Sequence, residues 1–155
     1  RYFNVCGPRQ NPDEAYAAVI PLFIKQFIHH DSPVINGNGE YSRDFTYIDN
    51  VIQMNLLDLT TTNPLAINQV YNTAYGQSTT LNEMSEYIKE YLSIYDPAIK
   101  NIEIKYNIAR VGDISHSLAD ISKAQKYLSY HPQYSMKTGL KKAIDWYWFN
   151  QHKPV

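Results

Sequence analysis

The sequence predicts a mixed fold, α+β or α/β, gathered into one lobe. Three features carry that expectation. Between Asn36 and Asn50 a turn signal, a short extended run and a helix start follow one another. From Leu81 to Tyr95 apolar residues recur at helical spacing, and Ile102, Ile104 and Tyr106 alternate with polar residues as in a half-buried strand. A length of 155 residues fits one domain, and 44% hydrophobic residues are ample for a core. There is no internal repeat, low-complexity tract or linker, so a single unit over residues 1–155 is expected.

Taken in order, Arg1 to Cys6 reads as a strand and Gly7-Pro8-Arg9-Gln10-Asn11-Pro12-Asp13 as a loop. A helix is expected from Ala15 to Ile28, with Pro21 in its first turn or at a kink, and with Leu22, Ile24, Phe27 and Ile28 on its buried side. Val34-Ile35-Asn36 is a short strand. The Asn-Gly pairs that follow tolerate the positive φ of tight turns, and Phe45, Tyr47 and Ile48 belong to an extended run. Asp49 is expected to cap a helix from Asn50 to about Thr61. Thr60 to Pro64 is a loop, and Gln69 to Tyr75 a strand centred on Val70 and Tyr71. Thr80 with Glu83 forms a capping box for the next helix. Arg110 to Ser117 reads as irregular, and helices follow over 122–128 and 135–150.

The totals exclude several functions. A net charge of −1 gives no electrostatic case for nucleic acid or an anionic membrane surface. No apolar run approaches the ~18 residues of a membrane span. The single Cys6 rules out an intrachain disulfide and agrees with a reducing compartment, so a cytoplasmic location is expected. The chain opens on Arg1-Tyr2-Phe3-Asn4-Val5, with no initiator Met and no signal peptide, and is expected to begin at a cut. The 14 tyrosines suit wet clefts as well as an ordinary core and surface.

Few constellations carry chemistry. His29, His30, His116, His131 and His152 lack metal-ligand spacing, so no metal is expected. Cys6 reads as an inert buried thiol. Gly7, Gly37, Gly39, Gly76, Gly112 and Gly139 build neither a dinucleotide fingerprint nor a P-loop. Arg43, held on ordered backbone, suits an anionic ligand, because its fork matches phosphate oxygens and keeps its charge. Arg110-Val111-Gly112-Asp113 places a cation and a carboxylate around a flexible Gly. Two readings stand there: a site for a diphosphate and a ribose hydroxyl, or a turn with a surface ion pair.

Six segments taken together resemble the extended short-chain dehydrogenase/reductase family in its carboxyl-terminal half. They are Arg1 to Gln10, Ala17-Ala18-Val19-Ile20-Pro21, Asn36 to Glu40, Ser42-Arg43-Asp44-Phe45, Tyr47-Ile48-Asp49-Asn50 and Arg110-Val111-Gly112-Asp113. Within that family the chain is most similar to the bacterial UDP-N-acetylglucosamine 4-epimerases, over essentially its whole length. The resemblance implies the carboxyl-terminal, substrate-binding lobe of an extended Rossmann-type NAD-dependent epimerase, with the amino-terminal Rossmann half absent. It implies NAD held mainly by that missing half, a UDP-sugar substrate, and a homodimer when full length. The implied reaction oxidises the sugar at C4, lets the keto-sugar turn and reduces it from the other face.

Carried over by resemblance, Phe3 lies by the nicotinamide and Asn4 donates to the diphosphate. Ala18 and Val19 touch the nucleotide, and Val34, Ile35 and Asn36 line the uridine. Arg43 and Arg110 clamp the diphosphate, and Asp113 accepts from a ribose hydroxyl. Ser117 takes the place of the sugar-pocket gatekeeper, where a small side chain leaves room for an N-acetyl group. That points to UDP-GlcNAc, UDP-GalNAc or their uronic acids; the other reading of Ser117 is an ordinary loop serine before an Asp120 cap. The chain departs from the family at Cys6, where an aromatic residue is common. None of its 14 tyrosines has Lys four positions later, so the catalytic Tyr-x-x-x-Lys pair is missing. The chain alone is therefore expected to be inactive, with no catalytic residue of its own. Two alternatives share these features: a nucleotide-sugar dehydratase, decarboxylase or uronate epimerase, and a non-catalytic binding domain.

Overall fold

The computed structural model describes residues 1–13 and 18–150. Seven short strands and five α-helices are interspersed among the described residues, as the mixed pattern predicts. They are β1 (Val5–Cys6), α1 (Val19–Ile28), β2 (Val34–Asn36), β3 (Ser42–Arg43), β4 (Thr46–Tyr47), α2 (Ile48–Thr60), β5 (Thr79–Thr80), α3 (Leu81–Leu92), β6 (Lys105–Asn107), β7 (His116–Ser117), α4 (Ser122–Leu128) and α5 (Met136–Asn150), with a 3-10 turn over Pro97–Asn101. The strands form three small sheets. β1 pairs with β4 in parallel, β2 with β6 in parallel, and β3 lies between antiparallel β5 and parallel β7.

Local chemistry explains most boundaries. Thr80 Oγ1 accepts from Glu83 N at 3.1 Å and Glu83 Oε2 accepts from Thr80 N at 2.8 Å, closing the capping box of α3. Ser135 Oγ accepts from Thr138 N at 3.2 Å just before α5. Pro21 falls in the first turn of α1, where its missing N–H costs no helical bond. The helix expected from Ala15 begins at Val19, while Ala15 itself lies outside the described residues.

Several expectations are corrected. Asp49 is not the cap of α2. The chain runs directly from β4 into the helix, Tyr47 takes the cap position, and Asp49 sits in the first turn, where its charge complements the helix dipole. The strand over 1–6 shrinks to Val5–Cys6, because Asn4 adopts a φ of +34° and interrupts it. The strand over 69–75 is reduced to one parallel bridge, Thr73 to Tyr2, with Val70 exposed. Ile102 and Ile104 pack against the core, but the strand itself is Lys105–Asn107 and Tyr106 is exposed, because β6 pairs on one side only, with β2. The irregular stretch from Arg110 ends in strand β7.

Buried residues gather in two clusters. The first joins α1 (Phe23, Ile24, Phe27), α3 (Met84, Ile88, Leu92) and α5 (Leu140, Ala143, Ile144) to Phe45 and Tyr47. The second joins Met54 of α2 and Ala124 and Leu128 of α4 to Tyr71, Ala74 and Tyr130. Three buried tyrosines anchor loops by donating to backbone carbonyls: Tyr71 to Ala66 at 2.9 Å, Tyr130 to Ala74 at 2.8 Å and Tyr147 to Gln10 at 2.8 Å. Cys6 is buried, and desolvation pushes its thiol up to about 12, so it carries no thiolate at neutral pH.

The segment from Tyr41 to Tyr47 links the clusters, and its even-numbered residues are polar yet buried: Ser42, Asp44 and Thr46. Asp44, fully buried, accepts from Tyr75 N at 3.1 Å, Gly76 N at 3.0 Å and Ala119 N at 3.4 Å. One carboxylate thereby ties β3 and β4 to two loops distant in sequence. A little farther on, buried Asn50 accepts from Gln133 N at 2.9 Å and Tyr134 N at 3.0 Å and donates to Tyr134 O at 2.7 Å, fixing α2 to the approach of α5. Thr46 Oγ1 finds no partner among the described residues.

Two expected outcomes follow from this packing. A Cβ at Gly139 would lie 2.5 Å from the Tyr47 side chain. Gly139→Ala therefore destabilises the protein in urea unfolding by about 1–3 kcal/mol, although helix propensity alone predicts a gain of about 1 kcal/mol; a variant as stable as its parent removes the contact. For Asp44, burial pushes the carboxyl above its ordinary range, against the downward pull of the three N–H donors. The raised folded-state value means that its contribution to stability is present below the unfolded value and is lost as pH rises through the folded one. Asp44→Asn aims an NH2 at these donors and is expected to cost about 1–3 kcal/mol at neutral pH, while an Asp44 carboxyl resonance titrating in the ordinary carboxylate range overturns the burial argument.

Candidate functional site

The odd-numbered residues of the same segment turn the other way. Tyr41, Arg43 and Phe45 all line one hollow, as the two-residue period of an extended chain requires. The small polar groups of the segment are thus buried while Arg43 faces the hollow between Tyr41 and Phe45, and Phe45 also packs into the first cluster. The hollow has a volume of about 230 Å³. Its other walls come from the first turns of α1, from β2, from the start of α3 and from the Arg110–Asp113 turn.

Eight of the residues singled out from the sequence meet here: Asn4, Val19, Val34, Ile35, Asn36, Arg43, Arg110 and Asp113. Three do not line it. Ala18 is exposed at the cap of α1, one residue before the helix turns Val19 inward. Ser117 sits in β7 directly opposite Arg43 in the ladder. Phe3 packs on the second cluster, with its N–H donating to Thr73 O at 3.3 Å. Sequence reading missed Phe23, Tyr41, Phe45 and Leu81 as walls. The alternation of 41, 43 and 45 around Arg43 was the signal for two of them.

The two guanidinium groups are held by neutral partners. Arg43 Nη1 donates to Ser42 O at 2.8 Å and to Ser115 O at 3.4 Å. The Asn36 amide, turned with its oxygen toward Arg110, accepts from Nε at 3.1 Å and Nη2 at 3.3 Å. Neither arginine pairs with a carboxylate among the described residues. Asp113 lies in the same turn as Arg110, joined to it through a weak backbone bond of 3.4 Å, so the surface ion pair left open above does not form. Two cations without carboxylate partners among the described residues, far apart in sequence and facing one concavity, can receive an anion carrying two phosphate groups. Val34, Phe23 and Leu81 supply apolar surface beside them.

A dinucleotide does not find a cradle in the same residues. Gly37 and Gly39, at φ of +87° and +79°, join β2 to β3, and neither opens a helix. Gly139 lies inside α5, and Gly112 sits in an exposed turn. The chain's own groups thus fit the anionic end of a ligand and not the pyrophosphate turn of NAD. No group of three or more metal-ligating side chains occurs among the described residues, and no helix among them is long and apolar enough to cross a membrane.

Comparison with known proteins shows the family of the chain. The family model described as GDP-mannose 4,6 dehydratase matches residues 1–143. UDP-glucuronate 4-epimerase of Thermodesulfobacterium geofontis is 32% identical over 148 residues, covering 94% of this chain and 41% of that protein. Among solved structures, the UDP-N-acetylglucosamine 4-epimerase of Methanobrevibacter ruminantium M1, in complex with UDP-N-acetylmuramic acid, superposes with a TM-score of 0.84 at 40% identity, over 97% of this chain and 45% of that one. The UDP-glucuronic acid 4-epimerase of Bacillus cereus, in complex with UDP-glucuronic acid and NAD, gives 0.80 at 31% identity, over 94% and 43%. The chain spans less than half the length of the curated relatives it matches, in their carboxyl-terminal part. It belongs to the GDP-mannose 4,6-dehydratase family, and so to the extended short-chain dehydrogenases/reductases.

Proposed function

We propose that this chain is the UDP-sugar-binding lobe of an NAD-dependent nucleotide-sugar 4-epimerase acting on UDP-GlcNAc and UDP-GalNAc, or on their uronic acids. The observation that carries the reading is the convergence on one hollow of Arg43 and Arg110, neither with a carboxylate partner among the described residues. In this reading the two arginines clamp the diphosphate and Asn4 donates to it. Val34, Ile35 and Asn36 line the uridine, with Ala18 and Val19 beside the nucleotide. Asp113 accepts from a ribose hydroxyl, Ser117 leaves room for the N-acetyl group, and Phe3 approaches the nicotinamide.

The lobe binds and orients; it does not turn over substrate alone. Its hollow of about 230 Å³ is smaller than the ~300–1,000 Å³ of ordinary small-molecule clefts, which suits a site completed by a second wall. The Tyr-x-x-x-Lys pair and the Gly-rich turn belong to that second wall, an amino-terminal half that holds NAD. Exposed Ile52, Leu56 and Leu59 repeat along one side of α2 and offer it an apolar seat. NAD complexes among the structural neighbours support the cofactor, the single Cys6 agrees with a cytoplasmic enzyme, and the full-length protein is read as a homodimer.

Three measurements on the full-length gene product test this. It should carry NAD and interconvert UDP-GlcNAc and UDP-GalNAc; a 4-keto-6-deoxy or decarboxylated product instead assigns a sister reaction. Arg43→Ala and Arg110→Ala should each weaken UDP binding by about 10- to 150-fold, the ~1.5–3 kcal/mol of a charge-assisted hydrogen bond, with Arg43→Lys recovering only part. Unchanged calorimetric affinity in both alanine variants ends the clamp. Ser117→Tyr should depress turnover of N-acetylated sugars more than of plain ones, and an equal loss for both removes the gatekeeper.

A further inference from the structure

Strand β7 meets β3 over only two residues, with Ser42 opposite His116 and Arg43 opposite Ser117. So short a parallel ladder specifies its register weakly, and a slip by one residue exchanges the faces of every side chain in it. Arg43 is held on its other side by β5, opposite Thr79, so such a slip moves β7 and carries Ser115 O away from the guanidinium. A side-chain bond crosses this ladder: His116 Nδ1 lies 3.0 Å from Ser42 Oγ. Ser42 is buried and points away from the hollow, whereas His116 is exposed and does not line the hollow. The serine hydroxyl can donate to the ring nitrogen or accept from it, so the bond survives either imidazole tautomer.

The same register delivers Arg43. Ser115 O accepts from Ser42 N at 2.9 Å and from Arg43 Nη1 at 3.4 Å, and Ser42 O accepts from the same Nη1 at 2.8 Å. Both carbonyls that hold the guanidinium flank the Ser42–His116 contact. We propose that His116 is a positioning residue for Arg43: by locking Ser42 it fixes β7 against β3 and holds the guanidinium at the angle an incoming diphosphate needs. The inference rests on the reading of Arg43 as a diphosphate ligand and adds a residue on the outer side of the strand.

The test uses the full-length protein, UDP in calorimetry and UDP-GlcNAc in kinetics. Ser42→Ala and His116→Ala are each expected to raise the UDP dissociation constant and KM by about 5- to 20-fold, within the coupling range of contacting residues, with kcat changed less than about twofold. The double variant should be no weaker than the weaker single one, because both remove one contact. His116→Asn keeps a polar atom at the distance of Nδ1 from the backbone and should restore most of the affinity, while His116→Gln, with its amide one bond farther out, should not. Wild-type affinity in His116→Ala, multiplied losses in the double variant, or an Asn variant as weak as Ala each overturns the lock. If Arg43→Ala also binds UDP normally, the diphosphate reading falls first; if Arg43→Ala is weak and His116→Ala is not, only the lock falls.

Discussion

A carboxylate out of contact with water holds this molecule together. Asp44 receives N–H groups from Tyr75, Gly76 and Ala119, so the central extended segment, the loop ahead of β5 and the loop ahead of α4 are fixed relative to one another. Backbone donors left unsatisfied in the interior are expensive, and here a single side chain answers three of them. Asp44 lies between Arg43 and Phe45, both of which face the hollow. The group that satisfies the interior therefore also sets the angle of the group that meets the ligand.

This coupling explains why polar residues are buried in this segment. In an ordinary half-buried strand apolar residues face inward. Between Tyr41 and Thr46 Asp44 meets loop amides in the interior and Ser42 meets the exposed His116, while Tyr41 and Phe45 line the hollow and Phe45 also packs on the first cluster. The stretch contributes few ladder bonds of its own, since β3 and β4 hold two residues each. Side-chain bonds to Asp44, Ser42 and Asn50 supply what short strands cannot.

Much of this was legible in the sequence. The capping box at Thr80 and Glu83, the buried faces of α3 and α5 and the extended run at 45–47 all follow from local pattern, and the resemblance picked out residues that meet in one hollow. What escaped was set by tertiary contact. Asp49 looked like a helix cap, but a strand leading straight into α2 left no loop for a cap to terminate. The stretch at 69–75 has strand composition, yet its only strand pairing among the described residues is the bridge at Tyr2, so most of it stays irregular. The interior roles of Asp44 and Asn50 were not read from the sequence, because nothing local announces that distant amides converge on them. Tyr41 was overlooked for a simpler reason: the extended run was read from Phe45 onward, and the alternation around Arg43 was not used.

The carbonyls of Ser42 and Ser115 grip the Arg43 guanidinium before any anion arrives. A long side chain gives up as much as ~2 kcal/mol of rotamer freedom when it is immobilised. In this fold much of that loss occurs when the chain folds, so an arriving diphosphate meets a receptor that need not be recruited and keeps more of its contact energy as affinity.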